Sequence, residues 1–430
     1  MSMLRMKLLA LPLVLGLAQT TDVLKYPLPN PLISLDGSPF ADARTWREKR
    51  RPEILQLFAN EVFGNTPATT AGVHFQTDSI DKHALNGQAV RKQITVFLSA
   101  DERGPKMHLL LYLPAGVHKR VPVFVGLNFF GNETVNADPG IDLPEVWVKD
   151  APDAKLTYGG ELLAHHKQRA PESARGLSEH LWQVEKILGR GFGLATAYCG
   201  DIEPDFLGGI KYGIRWNYVR PGQSQPADNE WGALGAWAWG LSRIADYLET
   251  DRNVDSRKII LTGFSRLGKA AMWSGAQDSR FAMIVSSESG VGGASLYRAT
   301  TAETIEHLNT AFPYWFAANF HKYTGHPEQV PVDGNLLLSL MAPRPLYVAS
   351  AEQDHSSDPP AEYLSAVEAS KVYRLLGKQG LGETTMPAVD SPVVNGVVGY
   401  HVRSGKHDVT AYDWDRYLEF AEKQFYRKKD

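Results

Sequence analysis

The chain of 430 residues has a single cysteine, Cys199, so it can form no intramolecular disulfide and no cysteine-rich zinc site. Its charges are nearly balanced. Its 45 Lys and Arg stand against 48 Asp and Glu, a net charge of −3. A nucleic-acid-binding domain would show a basic excess or stripe, so that partner is not expected. The sequence contains no repeat, no low-complexity run and no linker rich in Ser and Gly. With 43% hydrophobic and 22% charged residues, it is also too apolar to be mostly disordered. Neither a cluster of metal-ligating residues nor a glycine loop for phosphate stands out, so no metal and no cofactor is expected.

Long apolar runs are scarce too. The one stretch that resembles a membrane segment is the N-terminus, where Arg5 and Lys7 precede an apolar run over 8–17 broken by Pro12 and Gly16. Gly16 and Ala18 place small residues at the −3 and −1 positions of a cleavage site. That run is too short to anchor in a bilayer and reads as a secretory leader over 1–18. The mature chain then starts near Gln19 with a net charge of −5. It is expected to be secreted or periplasmic, free of membrane after cleavage, and a monomer.

Within the mature chain, continuous apolar runs cover 107–113, 122–129, 192–198, 258–264, 281–286 and 346–351. Continuous rather than alternating patterns suit strands buried on both faces of a parallel sheet. Residues 397–402 read as a further strand. Helical periodicity covers 231–250 and 411–427, the latter with Trp414, Leu418, Ala421 and Phe425 on one face. Strands alternating with helices predict an open α/β sheet in a single domain over 19–430. The stretches 131–187, 201–229 and 290–343 break the alternation. Loops that long are usually functional and are expected over the active-site edge.

The sharpest local pattern is Ile260-Leu-Thr-Gly-Phe-Ser265-Arg-Leu-Gly-Lys269. An apolar strand runs into Gly263, Ser265 sits two residues later, and Ala270, Ala271 and Met272 are expected to begin a helix. A serine on such a turn is pushed above the carboxyl edge of the sheet, with helix N-terminal amides behind it. The pattern departs from G-x-S-x-G, because Leu267 holds the second glycine position and Gly268 comes one later. A serine nucleophile needs a base and an acid. Glu288 and Asp354 each follow an apolar strand directly. His407 sits in a short loop before the last helix, which suits a mobile imidazole better than the strand position of His401.

These residues resemble a known family. Gly263-Phe-Ser-Arg-Leu-Gly-Lys269 is similar to the G-[CF]-S-R-x-G-K motif of the glucuronoyl esterases, carbohydrate esterase family 15. Segments 198–205, 231–239, 287–293 and 405–414 also look like family segments, and the resemblance covers about 107–426. It implies an exported serine esterase of α/β-hydrolase fold: a three-layer sandwich with a mostly parallel central sheet. The implied substrate is an ester of 4-O-methyl-glucuronic acid, as in the lignin–carbohydrate linkages of glucuronoxylan. Ser265 matches the nucleophile and His407 the base. Glu288 matches the family's commoner acid, expected to be the more important one, and Asp354 the acid that other members use. Arg266 matches an arginine at the oxyanion, and Lys269 and Glu303 match sugar-contacting residues. The carboxyl carbon of a uronate ester bears no charge, so Arg266 is better assigned to the oxyanion than to ground-state binding. Phe264 and Asp408 stand where fungal members have a bonded cysteine pair, which points to the bacterial branch. Ser356 stands where a tryptophan is common. Two other readings fit the same fold: an acetyl or feruloyl carbohydrate esterase, and a carbohydrate-binding homologue without turnover.

Overall fold

The computed structural model describes residues 23–67, 70, 72–149, 165–223, 225–299, 303–382 and 385–426. The expected leader over 1–18 lies outside them. Eleven strands occur among the described residues: β1 (His74–His83), β2 (Ala89–Phe97), β3 (Lys106–Pro114), β4 (Val121–Asn128), β5 (Glu145–Lys149), β6 (His165–Arg169), β7 (Gly193–Tyr198), β8 (Val254–Phe264), β9 (Phe281–Ser287), β10 (Leu346–Ala351) and β11 (Val398–Arg403). Nine form one sheet in the order β1-β2-β3-β7-β4-β8-β9-β10-β11. From β7 to β11 every pairing is parallel, and the β1, β2 and β3 pairings are antiparallel. β5 and β6 form a separate antiparallel ribbon.

The apolar runs become strands because both sides of the sheet are covered. Side chains alternate across a strand. Ile259, Leu261 and Ile284 accordingly enter one core, and Ile260, Met283 and Val285 the other. The first core is closed by α1 (Ala233–Thr250), α2 (Ser265–Gln277) and α3 (Pro359–Leu375), with Trp237 and Trp273 fully buried. The second is closed by α4 (Ala411–Phe425), through Trp414, Tyr417, Leu418 and Ala421, and by the short helix Val184–Gly189. This is the three-layer α/β-hydrolase architecture. Among the described residues no helix is long and apolar enough to cross a membrane.

β1 and β2 lie outside the apolar runs of the sequence, for a physical reason. β1 is largely exposed and carries Asp78, Asp81, Lys82 and His83, the polar dressing of an edge strand. β2 buries Arg91 and Lys92, which are paired with Asp138 and Asp251 from distant segments. Neither strand has a continuous apolar run. The stretch 131–187 also contains the β5–β6 ribbon.

Candidate active site

Register brings the candidate residues to one edge. Phe264 pairs with Ser287, Ser287 with Ala349, and Ala351 with Arg403, so β8 to β11 end side by side. Ser265, Glu288, Asp354 and His407 all follow those ends. With Arg266, Lys269, Ser289, Glu303, Trp315, Ser356 and Ser357 they line one open cavity of about 230 Å³.

Ser265 is the first residue of α2 and has φ of +55°, a left-handed conformation rare for a residue with a side chain. The helix starts at the serine itself, five residues before the expected start at Ala270. The turn closes only because glycines flank it. A Cβ on Gly263 would lie 2.3 Å from the Leu267 carbonyl oxygen, and one on Gly268 would lie 2.9 Å from both the Gly263 oxygen and Ser289 Cβ. Leu267 meanwhile points into the core, 1% exposed. The glycine therefore stands at 268, where backbones cross, and the core residue at 267. The free amides of the first helical turn lie behind the serine.

His407 Nδ1 lies 2.6 Å from Asp354 Oδ2 and 3.2 Å from Glu288 Oε2, so both acids reach the same nitrogen. Neither acid engages Nε2. Among the described residues no hydrogen bond joins Ser265 to His407; the two share the cavity wall. Burial pulls the imidazole down, but the hydrogen bonds and charges of Asp354 and Glu288 outweigh it and raise His407 to about 9. The two acids diverge. Burial would raise Asp354, yet hydrogen bonds from His407 and Ser357 bring it to about 2. At Glu288 burial prevails over His407 and Arg403 and holds the carboxyl at about 7.

Arg403, unmarked by any sequence pattern, is the hub of this arrangement. Its buried guanidinium donates to Glu288 Oε1 at 2.7 Å, to Asp413 Oδ2 at 2.9 Å and to the carbonyls of Ser404, Lys406 and Asp408. The histidine loop is thus wrapped around one cation. Glu288 Oε2 also accepts the Asp408 N–H at 3.2 Å. Beneath the acids the fully buried Glu362 accepts from Gly290 N–H and Ser350 O–H, and burial raises it to about 8. His401 is sealed in the core, bonded to Asp413 at 2.9 Å and to the Tyr347 hydroxyl at 2.9 Å, which removes it as a base. Glu288, Asp354 and His407 are also the one group among the described residues that could jointly ligate an ion. Their acceptor oxygens are engaged by Arg403, Asp408 and Ser357 N–H.

Arg266 lies over the Phe129 ring at 4.9 Å and the Trp315 ring at 5.8 Å. Its Nε sits 2.6 Å from Asp205 Oδ2, but off the N–H direction, so the pair is ionic and not a hydrogen bond. Lys269 is nearly fully buried. Its ammonium donates to Ser289 O at 2.8 Å, Val291 O at 2.7 Å and Glu303 Oε2 at 2.8 Å. All three of its protons are used, and Glu303 is the more exposed member of the pair.

A solved glucuronoyl esterase from Solibacter usitatus superposes with a TM-score of 0.88 at 50% identity, covering 94% of this chain and 100% of that one. The chain belongs to the glucuronoyl esterases of carbohydrate esterase family 15, which are carboxylic ester hydrolases. Other members agree with that placement. A promiscuous esterase of this family from a marine bacterial metagenome is 43% identical with a TM-score of 0.83, covering 94% of this chain and 98% of that one. Carbohydrate esterase MZ0003, from an unknown prokaryotic organism, is 44% identical over 93% of this chain and 89% of its own length. The family profile described as "Glucuronyl esterase, fungi" matches residues 225–377, which hold Ser265, both candidate acids and the Lys269–Glu303 pair of this esterase.

Proposed function

We propose that this glucuronoyl esterase hydrolyses esters of glucuronic acid or its 4-O-methyl ether, as found in lignin–carbohydrate linkages, through a covalent acyl-enzyme. The observation that carries the reading is the imidazole of His407. Two carboxylates hold its Nδ1, while its other nitrogen is left for the cavity that Ser265 lines. Nε2 takes the Ser265 proton as Oγ attacks the ester carbonyl carbon. The carbonyl oxygen becomes an oxyanion facing the Arg266 guanidinium and the first amides of α2. Collapse breaks the bond to the alcohol, whose oxygen receives the proton from His407. Water then repeats the sequence on the acyl-enzyme and releases the free uronic acid. The sugar hydroxyls face Glu303, with Lys269 behind it. Arg266 also borders the new carboxylate, so the product inhibits. The same reading takes 19–430 as one catalytic domain, exported as a monomer after loss of 1–18.

Turnover of benzyl glucuronate against 4-nitrophenyl acetate tests the substrate class. The glucuronate ester should be cleaved far faster, and Ser265→Ala should abolish its cleavage while thermal unfolding stays near wild type. Equal or better cleavage of the acetate would favour a general acetyl esterase. Unchanged turnover in Ser265→Ala would remove the nucleophile.

A further inference from the structure

Asp205 follows Pro204 in the long stretch between β7 and α1, and nothing in the proposed reaction uses it. Its surroundings are built. The loop is pinned two residues earlier, where the buried Glu203 pairs with Arg215 and its carbonyl accepts the Trp237 indole N–H at 2.8 Å. Asp205 Oδ1 accepts the Tyr314 hydroxyl at 2.9 Å and the Trp315 indole N–H at 2.8 Å. Trp315 is itself stacked on Phe312, with centroids 3.8 Å apart. Oδ2 is thereby aimed at Arg266, 2.6 Å from Nε. Two aromatic rings flank the guanidinium, and about a third of the Arg266 side chain stays open to the cleft.

An arginine at the first turn of a helix has several rotatable bonds and loses much rotamer freedom when held. An oxyanion donor is effective only if it is in place before charge develops. The ion pair is made at Nε, so it fixes where the cation lies without using a terminal N–H. We infer that Asp205, locked by Tyr314 and Trp315, is a positioning residue that holds Arg266 against Phe129 and Trp315 in the place required by the transition state. The inference rests on the proposed role of Arg266 in ester cleavage.

The test is a double-mutant cycle on benzyl glucuronate with the full-length enzyme. Asp205→Asn keeps the size and the hydrogen-bonding oxygen and removes the charge. It should lower kcat by roughly 10- to 100-fold with KM within about twofold, the scale of a misplaced catalytic group. In an Arg266→Ala background the same change should cost nothing further, because the group it positions is gone. Tyr314→Phe removes one of the bonds that lock Asp205 and should lower kcat by a few-fold in the parent and not at all in Arg266→Ala. It serves alone if Asp205→Asn fails to fold. An equal loss in both backgrounds would make the role purely structural and overturn the inference, as would wild-type kcat in Asp205→Asn. A wild-type enzyme inactive on glucuronate esters would instead sink the functional reading beneath it.

Discussion

Removing one of the two carboxylates on His407 asks which of them does the orienting. The structure sets the expected sizes. Asp354 makes the shorter contact, 2.6 Å against 3.2 Å, and its carboxyl is held at about 2, ionised through the working range. Glu288 divides its oxygens among Arg403, Asp408 N–H and the imidazole, and burial holds it at about 7. A hydrogen bond to a charged group contributes about 1.5–3 kcal/mol, which is on the order of 10- to 150-fold in rate if it acts wholly in the transition state. Asp354→Asn should therefore lower kcat/KM about 100-fold and Glu288→Gln about 10-fold. This ranking reverses the expectation from spacing alone, by which Glu288 matched the commoner acid. With both gone nothing fixes the tautomer, and the loss should approach the roughly 10⁴-fold seen when a triad loses its only acid. That exceeds the product of the single losses by about tenfold, a coupling of about 1.4 kcal/mol. The pH profile gives an independent sign. The base works only when neutral, so the acid limb of kcat/KM follows the His407 pKa, raised to about 9 by the two acids against its burial. Removing Asp354 takes away the strongest raising contact, and the limb should move to lower pH. The assay is kcat/KM on benzyl glucuronate from pH 5 to 10 for the wild type, both single variants and the double. Strictly additive losses would refute the shared role. A harmless Asp354→Asn beside a dead Glu288→Gln would refute the ranking.

Three further outcomes are expected. Gly268→Ala pushes a methyl against the Gly263 carbonyl and Ser289, each 2.9 Å from the new Cβ. Thermal unfolding should show a loss of about 1–3 kcal/mol, and activity should fall with it because the same contact shapes the serine turn. Arg403→Gln leaves Glu288 and Asp413 buried without their cation, so denaturant unfolding should show a loss of about 3–5 kcal/mol; a stable variant would mean the histidine loop holds itself. N-terminal sequencing of the exported protein should begin at Gln19, and a start at Met1 would refute the leader.

The amino-acid order by itself determined the parts whose cause is local. A strand buried on both faces must be apolar throughout, so β3, β4, β7, β8, β9 and β10 were legible as runs, and the amphipathic α4 as a period. The serine turn was legible because its glycines stand where a Cβ cannot fit, although only the packed structure explains why the second is Gly268. Glu288 and Asp354 were legible as candidates because each follows an apolar strand and strand ends in a parallel sheet share an edge, and His407 because it sits in a short loop before the last helix. Tertiary structure alone decided what depends on partners far apart in the chain. β2 became a strand around Arg91 and Lys92 because Asp138 and Asp251 arrive to neutralise them. His401 became a core histidine because Asp413 and Tyr347 satisfy it. The ammonium of Lys269 is spent on Ser289, Val291 and Glu303, which no spacing reveals. Arg403 and Asp205 look like ordinary charged residues in the sequence. Their roles come from which carboxylates and rings the fold brings within about 3–5 Å, the range over which a partly desolvated charge is governed by its neighbours.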